Sequence, residues 1–564
     1  MTGTARLSYS HGASPDPLLG ETIGDNLRRV TARHPGREVL VDVPTGRRWT
    51  YARFGADTDT LARGLIAAGI EAGDRVGIWS PNCAEWVLLQ YATAKAGVVL
   101  VNINPAYRSH ELAYVLRQSG VRMLVSAESF KTSDYRAMIG DVSGDLDGLE
   151  QVVYLGSPEW DALAAGAVSA PERDSEGGTG RRVGGGDPLA AREAGLAFDD
   201  PINIQYTSGT TGFPKGATLS HHNILNNGFF IGEGCRYTEA DRVCIPVPFY
   251  HCFGMVLGNL ACTTHGACIV IPSPGFEPAA ALEAVQRERC TSLYGVPTMF
   301  IAELALPGFA GYDLSTLRTG IMAGSPCPVE VMKRVVSEMH MAEVTICYGM
   351  TETSPVSTQT RADDDMERRV STVGRVHPHV EVKVIEPETG RVVPRGTPGE
   401  LCTRGYSVML GYWDDEEQTR TAIDAARWMH TGDLAVMDDA GYLNIAGRIK
   451  DMVIRGGENI YPREVEEFLY AHPAIEDVQV IGVPDAKFGE ELCAWVKLRP
   501  GETLTLGELR EFCTGKIAHY KIPRYLRISG EFPMTVTGKV QKYKMREVSV
   551  AELDLGEAAG MRTA

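Results

Sequence analysis

Strand-like and helix-like segments alternate between Asp74 and Val125, and this alternation limits the possible folds more than any other feature. The apolar runs DRVGIWS, GVVLVNI and VRMLV are strand-like. The segments between them, CAEWVLLQYATAKAG and SHELAYVLRQSG, follow a helical pattern. Such alternation predicts an α/β fold of parallel sheets covered by helices, with ligands bound beyond the carboxyl ends of the strands.

Composition indicates a folded chain and excludes some functions. The 564 residues leave room for several compact domains. Hydrophobic residues make up 44% and charged residues 23%, as in an ordinary globular protein. The formal net charge of −17 argues against broad binding to nucleic acid or to an anionic membrane, but it permits local basic pockets for small phosphates.

Cysteine usage and the chain termini favour a cytoplasmic location. The twelve cysteines form no C-x-x-C pair, which argues against a zinc ribbon and against a dense disulfide framework. The N-terminus lacks a signal pattern, the C-terminus lacks a lipidation box, and no apolar run approaches the roughly 20 residues that span a bilayer. We therefore predict no transmembrane segment and leave peripheral membrane contact open.

Two places in the sequence indicate domain organisation. Residues 161–199 are rich in Gly, Ala and Arg and poor in large apolar residues, which predicts a flexible surface loop. A boundary near 447–451 precedes about a hundred residues of short αβ pattern. We find no tandem repeat.

The segment YTSGTTGFPKG, Tyr206–Gly216, has the composition of a phosphate-binding loop. Its small residues allow close backbone approach, its hydroxyls donate hydrogen bonds, and Lys215 supplies a positive charge. Ser220 then offers a helix N-cap. A flexible polar turn is the simpler alternative. A Walker loop is disfavoured because Pro214 precedes Lys215 and Gly216 follows it.

Further motifs follow in a fixed order: YGMTE at 348–352, HTGD at 430–433, GRIKD at 447–451, GGENIYPREVEE at 456–467 and TVTGK at 535–539. Together with the phosphate loop, they resemble the adenylate-forming, AMP-binding superfamily over about residues 22–544. Within that superfamily the chain is most similar to the medium- and long-chain fatty acyl-CoA synthetases.

The resemblance implies a fold and a reaction. Residues 1–447 would form a large AMP-binding domain of α/β/α layered subdomains with a β-barrel-like portion, and residues 448–564 a small, mobile α+β domain. The enzyme would activate a fatty acid with ATP and Mg²⁺ as acyl-AMP, release pyrophosphate, and transfer the acyl group to coenzyme A.

The resemblance also implies residue roles in adenylation. Glu352 would bind Mg²⁺, with Thr211 as a further metal ligand, and carboxylate oxygen suits that hard cation. Thr351 would donate to the α-phosphate. Lys539, at a tight Thr-Gly turn, would be the catalytic cation of the transition state. The phosphate-binding set would be Thr207, Ser208, Gly209, Thr210, Thr211, Gly212 and Lys215.

The remaining roles concern the nucleoside, the acid and the thiol. Tyr348 and Gly349 would lie against adenine, and Asp433 with Arg448 would bind the ribose hydroxyls. After the small domain rotates about Lys450, Gly456 and Gly457 would let the pantetheine arm of coenzyme A approach. The acid site would be lined by His251, Phe253 and Gly254. Gly324 and Ser325 would lie between adenine and the acyl tail.

The stretch from Pro246 to Leu260 is apolar and aromatic and contains no carboxylate, which favours an uncharged acyl tail. Four alternatives stay open at this point: a fatty acyl-AMP ligase that delivers to a carrier protein, a peptide-synthetase adenylation domain, a luciferase-like oxygenase, and a catalytically silent nucleotide-binding protein. The sequence leaves chain-length preference, pathway, regulation and oligomeric state open, with a homodimer as one alternative.

Overall fold

The computed structural model describes residues 6–168, 187–207, 214–325, 327–455, 458–485, 487–534 and 540–555. Strands are distributed over the whole of these ranges. The described strands are β1 Tyr9–His11, β2 Glu38–Asp42, β3 Arg47–Thr50, β4 Arg75–Trp79, β5 Val99–Asn102, β6 Val121–Ser126, β7 Ser129–Phe130, β8 Ser133–Asp134, β9 Gln151–Tyr154, β10 Pro201–Thr207, β11 Lys215–Ser220, β12 Arg242–Cys244, β13 Cys268–Ile271, β14 Ser292–Gly295, β15 Thr319–Ala323, β16 Glu343–Gly349, β17 Val356–Gln359, β18 Arg375–Val376, β19 Val380–Ile385, β20 Gly399–Gly405, β21 Gly411–Tyr412, β22 Met429–Met437, β23 Leu443–Arg448, β24 Val453–Arg455, β25 Glu458–Ile460, β26 Ile475–Asp485, β27 Gly489–Leu498 and β28 Tyr525–Ile528.

Helices occupy much of the chain between the strands. A π-helical segment spans Phe253–Leu260, and a 3₁₀ turn spans Thr351–Thr353. The described α-helices are α1 Ile23–Arg33, α2 Tyr51–Ala67, α3 Ala84–Ala96, α4 Ser109–Ser119, α5 Tyr135–Ser143, α6 Pro158–Ala164, α7 Pro188–Glu193, α8 His221–Gly234, α9 Ala261–His265, α10 Pro278–Glu288, α11 Pro297–Leu304, α12 Val329–Glu338, α13 Met366–Ser371, α14 Glu416–Ala422, α15 Pro462–Tyr470, α16 Leu506–Cys513 and α17 Lys542–Glu552.

The chain divides into two compact units. The larger unit contains Ser10–Val382 and Thr403–Met429. The smaller unit contains Met1–Tyr9, Lys383–Cys402 and His430–Ala564. The boundary expected at 447/448 falls inside the smaller unit and stays a prediction.

The alternation predicted between Asp74 and Val125 is confirmed element by element as β4, α3, β5, α4 and β6. In the described residues these strands belong to a seven-stranded sheet with the order β21-β11-β10-β5-β4-β6-β9. Strand β4 pairs in parallel with both β5 and β6. The parallel arrangement follows from the helical crossovers, because two parallel strands cannot be joined by a tight turn.

Side chains of this sheet alternate between two hydrophobic clusters. Val99 and Val101 of β5 pack into the cluster that includes α4 and α5. Leu100, between them, packs into the cluster that includes α2 and α3. Since successive residues of a strand point to opposite faces, this alternation shows helices on both faces of the sheet. The predicted α/β/α layering is therefore confirmed.

A second sheet of the larger unit positions further site residues. Its order in the described part of the chain is β18-β17-β16-β15-β14-β12-β13-β2-β3. Strands β14, β15 and β16 run parallel, and Ala323 at the end of β15 pairs with Cys347 of β16. The carboxyl ends of these strands therefore meet at one edge, where ligands of open α/β sheets are expected.

The smaller unit is of the α+β type. Among the described residues, β25-β24-β27-β26 form one sheet with β28 added on β27. Val465 and Leu469 of α15 pack against Val480 and Leu492 of this sheet. The portion expected to be barrel-like corresponds to a five-stranded sheet of order β1-β19-β20-β22-β23, most of whose residues belong to the smaller unit.

The prediction of a loop over residues 161–199 is wrong at both ends of that range, because the chain is helical there. Helix α6 extends to Ala164, and α7 spans Pro188–Glu193. Helix α7 forms because the Asp187 side chain accepts from the Leu189 N–H, proline occupies the first turn, and Leu189 is buried. Residues 169–186 lie outside the described residues, and the loop stays a prediction there.

Each of the twelve cysteines is described, and each is a free thiol. All are buried except Cys83, which is partly exposed. Burial raises the pKa of Cys268 to about 12 and that of Cys493 to about 11. No helix in the described ranges combines the length and the apolar character needed to cross a membrane.

Candidate active site

Strands β10 and β11 form an antiparallel hairpin that carries the two ends of the predicted phosphate loop. Thr207 ends β10 and Lys215 begins β11, and the two are direct cross-strand partners, so both lie where the loop joins the strands. Ser220 accepts from the Asn223 N–H and caps α8, as predicted. The intervening residues Ser208–Phe213, including Ser208, Gly209, Thr210, Thr211 and Gly212, lie outside the described residues.

Glu352 is a buried carboxylate at this loop end of the hairpin, beside Thr207. The 3₁₀ turn that follows β16 carries it, and its exposed fraction is 5%. Oε1 accepts a hydrogen bond from the Tyr412 hydroxyl at 2.8 Å and a longer one from Thr207 Oγ1 at 3.4 Å. The structure therefore brings together Glu352 and Thr207, which are far apart in sequence.

Tyr412 joins the carboxylate to the lysine of the loop. The Lys215 ammonium lies 5.2 Å from the centre of the Tyr412 ring and donates to Gln418 Oε1 at 2.6 Å. Burial first, and the neighbouring Glu352 carboxylate second, raise the pKa of the Tyr412 phenol. Tyr412 consequently stays protonated and donates to Glu352.

Sequence reasoning missed Tyr412 and Gln418. They lie in the segment GYWDDEEQT, whose run of acidic residues is typical of the start of a capped helix. Asp415 does cap α14. Nothing in that local pattern distinguishes Tyr412 from a tyrosine packed on the core. Its contact with Glu352 depends on β21 lying beside β11 at the edge of the sheet.

The surroundings of Glu352 suit a divalent cation. Among the described residues, no lysine or arginine lies within ion-pairing distance of its carboxylate. A buried carboxylate is costly without a positive partner, and hard cations such as Mg²⁺ prefer carboxylate oxygen. The donor set therefore fits the metal that the sequence analysis expects, with Glu352 as a ligand.

Four further site residues follow the carboxyl ends of two neighbouring parallel strands. Gly324 and Ser325 come directly after β15, while Tyr348 and Gly349 end β16. Gly349 has no space for a side chain, because a Cβ there would lie 1.7 Å from the Pro355 carbonyl oxygen. This convergence places the residues expected near adenine at the sheet edge where ligands bind in such folds.

The residues expected at the acid site surround the start of the π-helix. The His251 Nδ1 accepts from the Phe253 N–H at 3.1 Å, and Phe253 stacks on Tyr294 with ring centres 5.7 Å apart. A Cβ at Gly254 would lie 2.4 Å from the Pro248 carbonyl oxygen, so close backbone packing requires glycine there. Cys252 Sγ lies 3.7 Å from Thr351 Oγ1, which connects this segment to the 3₁₀ turn of Glu352.

The smaller unit brings Asp433 and Arg448 together. They are cross-strand partners on β22 and β23, and Arg448 Nε lies 3.2 Å from Asp433 Oδ1. The Asp433 N–H donates to Thr431 Oγ1 at 3.1 Å, a local contact within the HTGD segment of β22. Partial burial, and next the positive charge of Arg448, lower the pKa of Lys450 on the following 3₁₀ turn.

Three residues expected in the smaller unit lie outside the described residues: Gly456, Gly457 and Lys539. Their roles stay predictions. The geometry on both units nonetheless shows that most of the described motif residues occupy strand ends and turns, which is where binding residues are concentrated in α/β proteins.

Comparison with known proteins gives the class. A family model described as AMP-binding enzyme matches residues 27–413, and one described as AMP-binding enzyme C-terminal domain matches residues 464–539. YngI of Bacillus subtilis (strain 168) is 49% identical over 560 residues, which cover 96% of this chain and 99% of YngI. The mitochondrial medium-chain acyl-CoA ligase ACSF2 of Danio rerio is 45% identical over 573 residues, which cover 98% of this chain and 92% of that ligase.

Solved structures agree with this grouping. The anthranilate CoA ligase AuaEII in complex with anthranoyl-AMP aligns with a TM-score of 0.83 at 26% identity, over 95% of this chain and 99% of AuaEII. ATP-bound MatB from Rhodopseudomonas palustris aligns with a TM-score of 0.80 at 29% identity, over 93% of this chain and 99% of MatB.

The chain therefore belongs to the AMP-binding enzyme family, and the resemblance inferred from its motifs is confirmed. It is an enzyme, an ATP-dependent ligase of the acyl-CoA synthetase class.

Proposed function

We propose that this protein is an AMP-forming fatty acyl-CoA synthetase for medium- or long-chain acids. A carboxylate oxygen of the acid attacks the α-phosphorus of ATP, and the bond to pyrophosphate breaks. The thiolate sulfur of coenzyme A then attacks the acyl carbonyl, and AMP leaves. The observation that carries this proposal is the buried Glu352 carboxylate, held by Tyr412 beside Thr207 and Lys215.

We assign the adenylation roles as the motifs predict. Thr207, Lys215 and the loop between them bind the β- and γ-phosphates, and Thr351 donates to the α-phosphate. Glu352 and Thr211 would hold Mg²⁺, which supplies positive charge to the triphosphate when bound. Lys539 stabilises the charge that develops as pyrophosphate leaves. Most of the expected acceleration comes from positioning and charge.

Asp433 and Arg448 bind the ribose hydroxyls in this proposal. Their support is the cross-strand ion pair, which holds the Asp433 carboxylate in one orientation beside Arg448. For the thioester step, the small domain rotates about Lys450, and Gly456 and Gly457 admit the pantetheine arm.

An apolar acyl tail is supported by the lining of the acid site. The π-helical segment is buried throughout, and no acidic residue occurs between Pro246 and Leu260. A substrate ammonium would therefore find no carboxylate partner on this segment. The name of the related ACSF2, a medium-chain acyl-CoA ligase, supports the same substrate class.

We also propose a cytoplasmic, reducing location. Twelve free thiols without a disulfide support it, since disulfides form and persist in oxidising compartments.

The test is AMP release from ATP and Mg²⁺ with fatty acids of graded length, each measured with and without coenzyme A. We expect turnover that depends on coenzyme A and shows an optimum chain length. Acyl-AMP that accumulates regardless of coenzyme A would instead identify a carrier protein as acceptor, and absence of turnover with every acid would support a silent homologue.

A matched pair of variants ties the activity to the site. Glu352→Gln removes the charge of the buried carboxylate and should abolish adenylation. Glu303→Gln changes another buried glutamate of the larger unit, whose carboxyl pKa burial raises well above its usual range, and should retain activity. Equal loss in both variants would contradict the assignment of Glu352.

A further inference from the structure

Three side chains with metal-ligating atoms converge at the HTGD segment of β22 in the smaller unit. Glu400 and Cys402 lie on β20, and His430 lies on the neighbouring β22. One carboxylate oxygen, the Cys402 sulfur and one His430 ring nitrogen all lie within 4.8 Å of one another. None of the three has a role in the proposed reaction.

The spacing of these atoms is near that of a tetrahedral zinc site. With Zn–N and Zn–O near 2.0–2.2 Å and Zn–S near 2.3 Å, adjacent ligand atoms lie roughly 3.4–3.6 Å apart. The distance from Cys402 Sγ to His430 Nδ1 is 3.7 Å, and that from Glu400 Oε2 to His430 Nδ1 is 2.9 Å. Small side-chain rotations therefore suffice to admit an ion.

We propose that Glu400, Cys402 and His430 form a binding site for a borderline divalent cation, with Zn²⁺ as the expected ion. Three protein ligands leave the fourth position to water or to another ligand, as in zinc sites that are not purely structural. Cys402 and Glu400 are buried, whereas the His430 side chain is 31% exposed, so the ion enters from the histidine side.

The chemistry of the donor set separates this site from the Mg²⁺ site at Glu352. Thiolate and imidazole favour Zn²⁺ and Co²⁺, whereas Mg²⁺ prefers an all-oxygen shell. Binding replaces the thiol proton, which passes to solvent, and the His430 ring uses the tautomer with its proton on Nε2. The hydrogen bond between Glu400 and His430 is exchanged for two bonds to the metal.

Binding at this site would alter the segment of β22 that presents Asp433. Glu400 Oε1 accepts from the Gly432 N–H at 3.2 Å, and Thr431 Oγ1 donates to the Leu401 carbonyl at 2.6 Å. A carboxylate pulled toward a metal weakens the first of these contacts. In so far as Asp433 binds the ribose, which rests on the proposed function, Zn²⁺ should raise the KM for ATP.

Cobalt spectroscopy tests the site without reference to activity. Co²⁺ titrated into the full-length chain should produce a thiolate-to-cobalt charge-transfer band and the visible bands of tetrahedral cobalt, and Zn²⁺ should abolish both at one equivalent. Cys402→Ser should eliminate the charge-transfer band. Cys513→Ser, which changes another buried thiol of the same unit, should retain it. Millimolar Mg²⁺ should leave the bands unchanged.

Thermal melting of both variants without metal establishes that each is folded. A charge-transfer band that persists in folded Cys402→Ser, or that never forms in the parent chain, overturns the proposal.

Activity then tests the coupling. Zn²⁺ should raise the KM for ATP several-fold in the parent enzyme and in Cys513→Ser, and should have little effect on Cys402→Ser. A cobalt spectrum with no ligase activity toward any acid would refute the proposed function and leave the metal site standing. Ligase activity without a cobalt spectrum would refute the metal site and leave the proposed function standing.

Discussion

Replacement of Tyr412 by phenylalanine tests whether this residue positions Glu352, the carboxylate that we propose binds Mg²⁺. The substitution removes only the hydroxyl that donates to Glu352 Oε1 at 2.8 Å. The remaining donor, Thr207 Oγ1 at 3.4 Å, is too distant to compensate fully. The phenylalanine ring keeps its place beside the Lys215 ammonium.

The size of the effect follows from the charge and burial of Glu352. A hydrogen bond to a charged group contributes about 1.5–3 kcal/mol, which corresponds to a loss of about 10- to 150-fold in kcat/KM. Because the carboxylate is only 5% exposed, water cannot easily replace the lost donor. We also expect the Mg²⁺ concentration for half-maximal activity to rise, since an unrestrained carboxylate presents its oxygens less well.

The assay is fatty-acid-dependent exchange between ATP and pyrophosphate over a range of Mg²⁺ concentrations. Tyr406→Phe is the matched control, because Tyr406 is a partly buried tyrosine of the same unit whose hydroxyl accepts from Asn227 at 3.4 Å. If Tyr412→Phe and Tyr406→Phe have the same kcat/KM and Mg²⁺ dependence, Tyr412 does not position Glu352 and the reasoning is refuted.

Three other predictions concern catalysis, nucleotide binding and stability. Lys539→Ala should abolish acyl-AMP formation but spare thioester formation from supplied acyl-AMP, and equal loss of both half-reactions would exclude its role in the first step. Asp433→Asn should raise the KM for ATP about tenfold or more with a smaller change in kcat, because a neutral amide accepts more weakly from ribose hydroxyls; an unchanged KM would argue against ribose binding. Burial lowers the pKa of His221 to about 4, against about 6.5 in the unfolded chain. The stabilisation that comes from burying the neutral imidazole is therefore complete above pH 6.5 and is lost as the pH falls to 4. His221→Asn keeps an acceptor for the Ile23 N–H and should reduce the acid-induced loss in the free energy of unfolding by up to about 3 kcal/mol, measured by denaturant unfolding. If the free energy of unfolding depends on pH equally in both proteins, this prediction is contradicted.

The order of elements in the first sheet could be predicted because periodicity is a local property. Strands β4, β5 and β6 and helices α3 and α4 each occupy the segment whose apolar pattern predicted them. The cap at Ser220 was likewise readable from a hydroxyl before a helical segment. Helix α7 was missed because its short pattern lies within a stretch whose composition is otherwise that of a loop.

The site was predictable only as far as motifs mark it. Asp433 and Arg448 were assigned one task from two separate motifs, and the structure shows them as cross-strand neighbours. The hydrogen bond from Tyr412 to Glu352 could not be predicted, since it joins residues of different motifs through sheet pairing. The cluster of Glu400, Cys402 and His430 could not be predicted for the same reason, because its members are separated in sequence and only the pairing of two strands brings them together.

The burial of eleven of the twelve thiols has a consequence for an enzyme whose proposed cosubstrate is itself a thiol. Disulfide exchange requires an accessible thiolate on one partner. Burial raises the pKa of Cys235 and Cys513 to about 11 and keeps nearly all cysteine sulfurs out of solvent. The oxidised, disulfide form of coenzyme A therefore meets very little reactive sulfur on the folded chain. The same burial that packs the core would protect the enzyme from mixed-disulfide formation with its own cosubstrate.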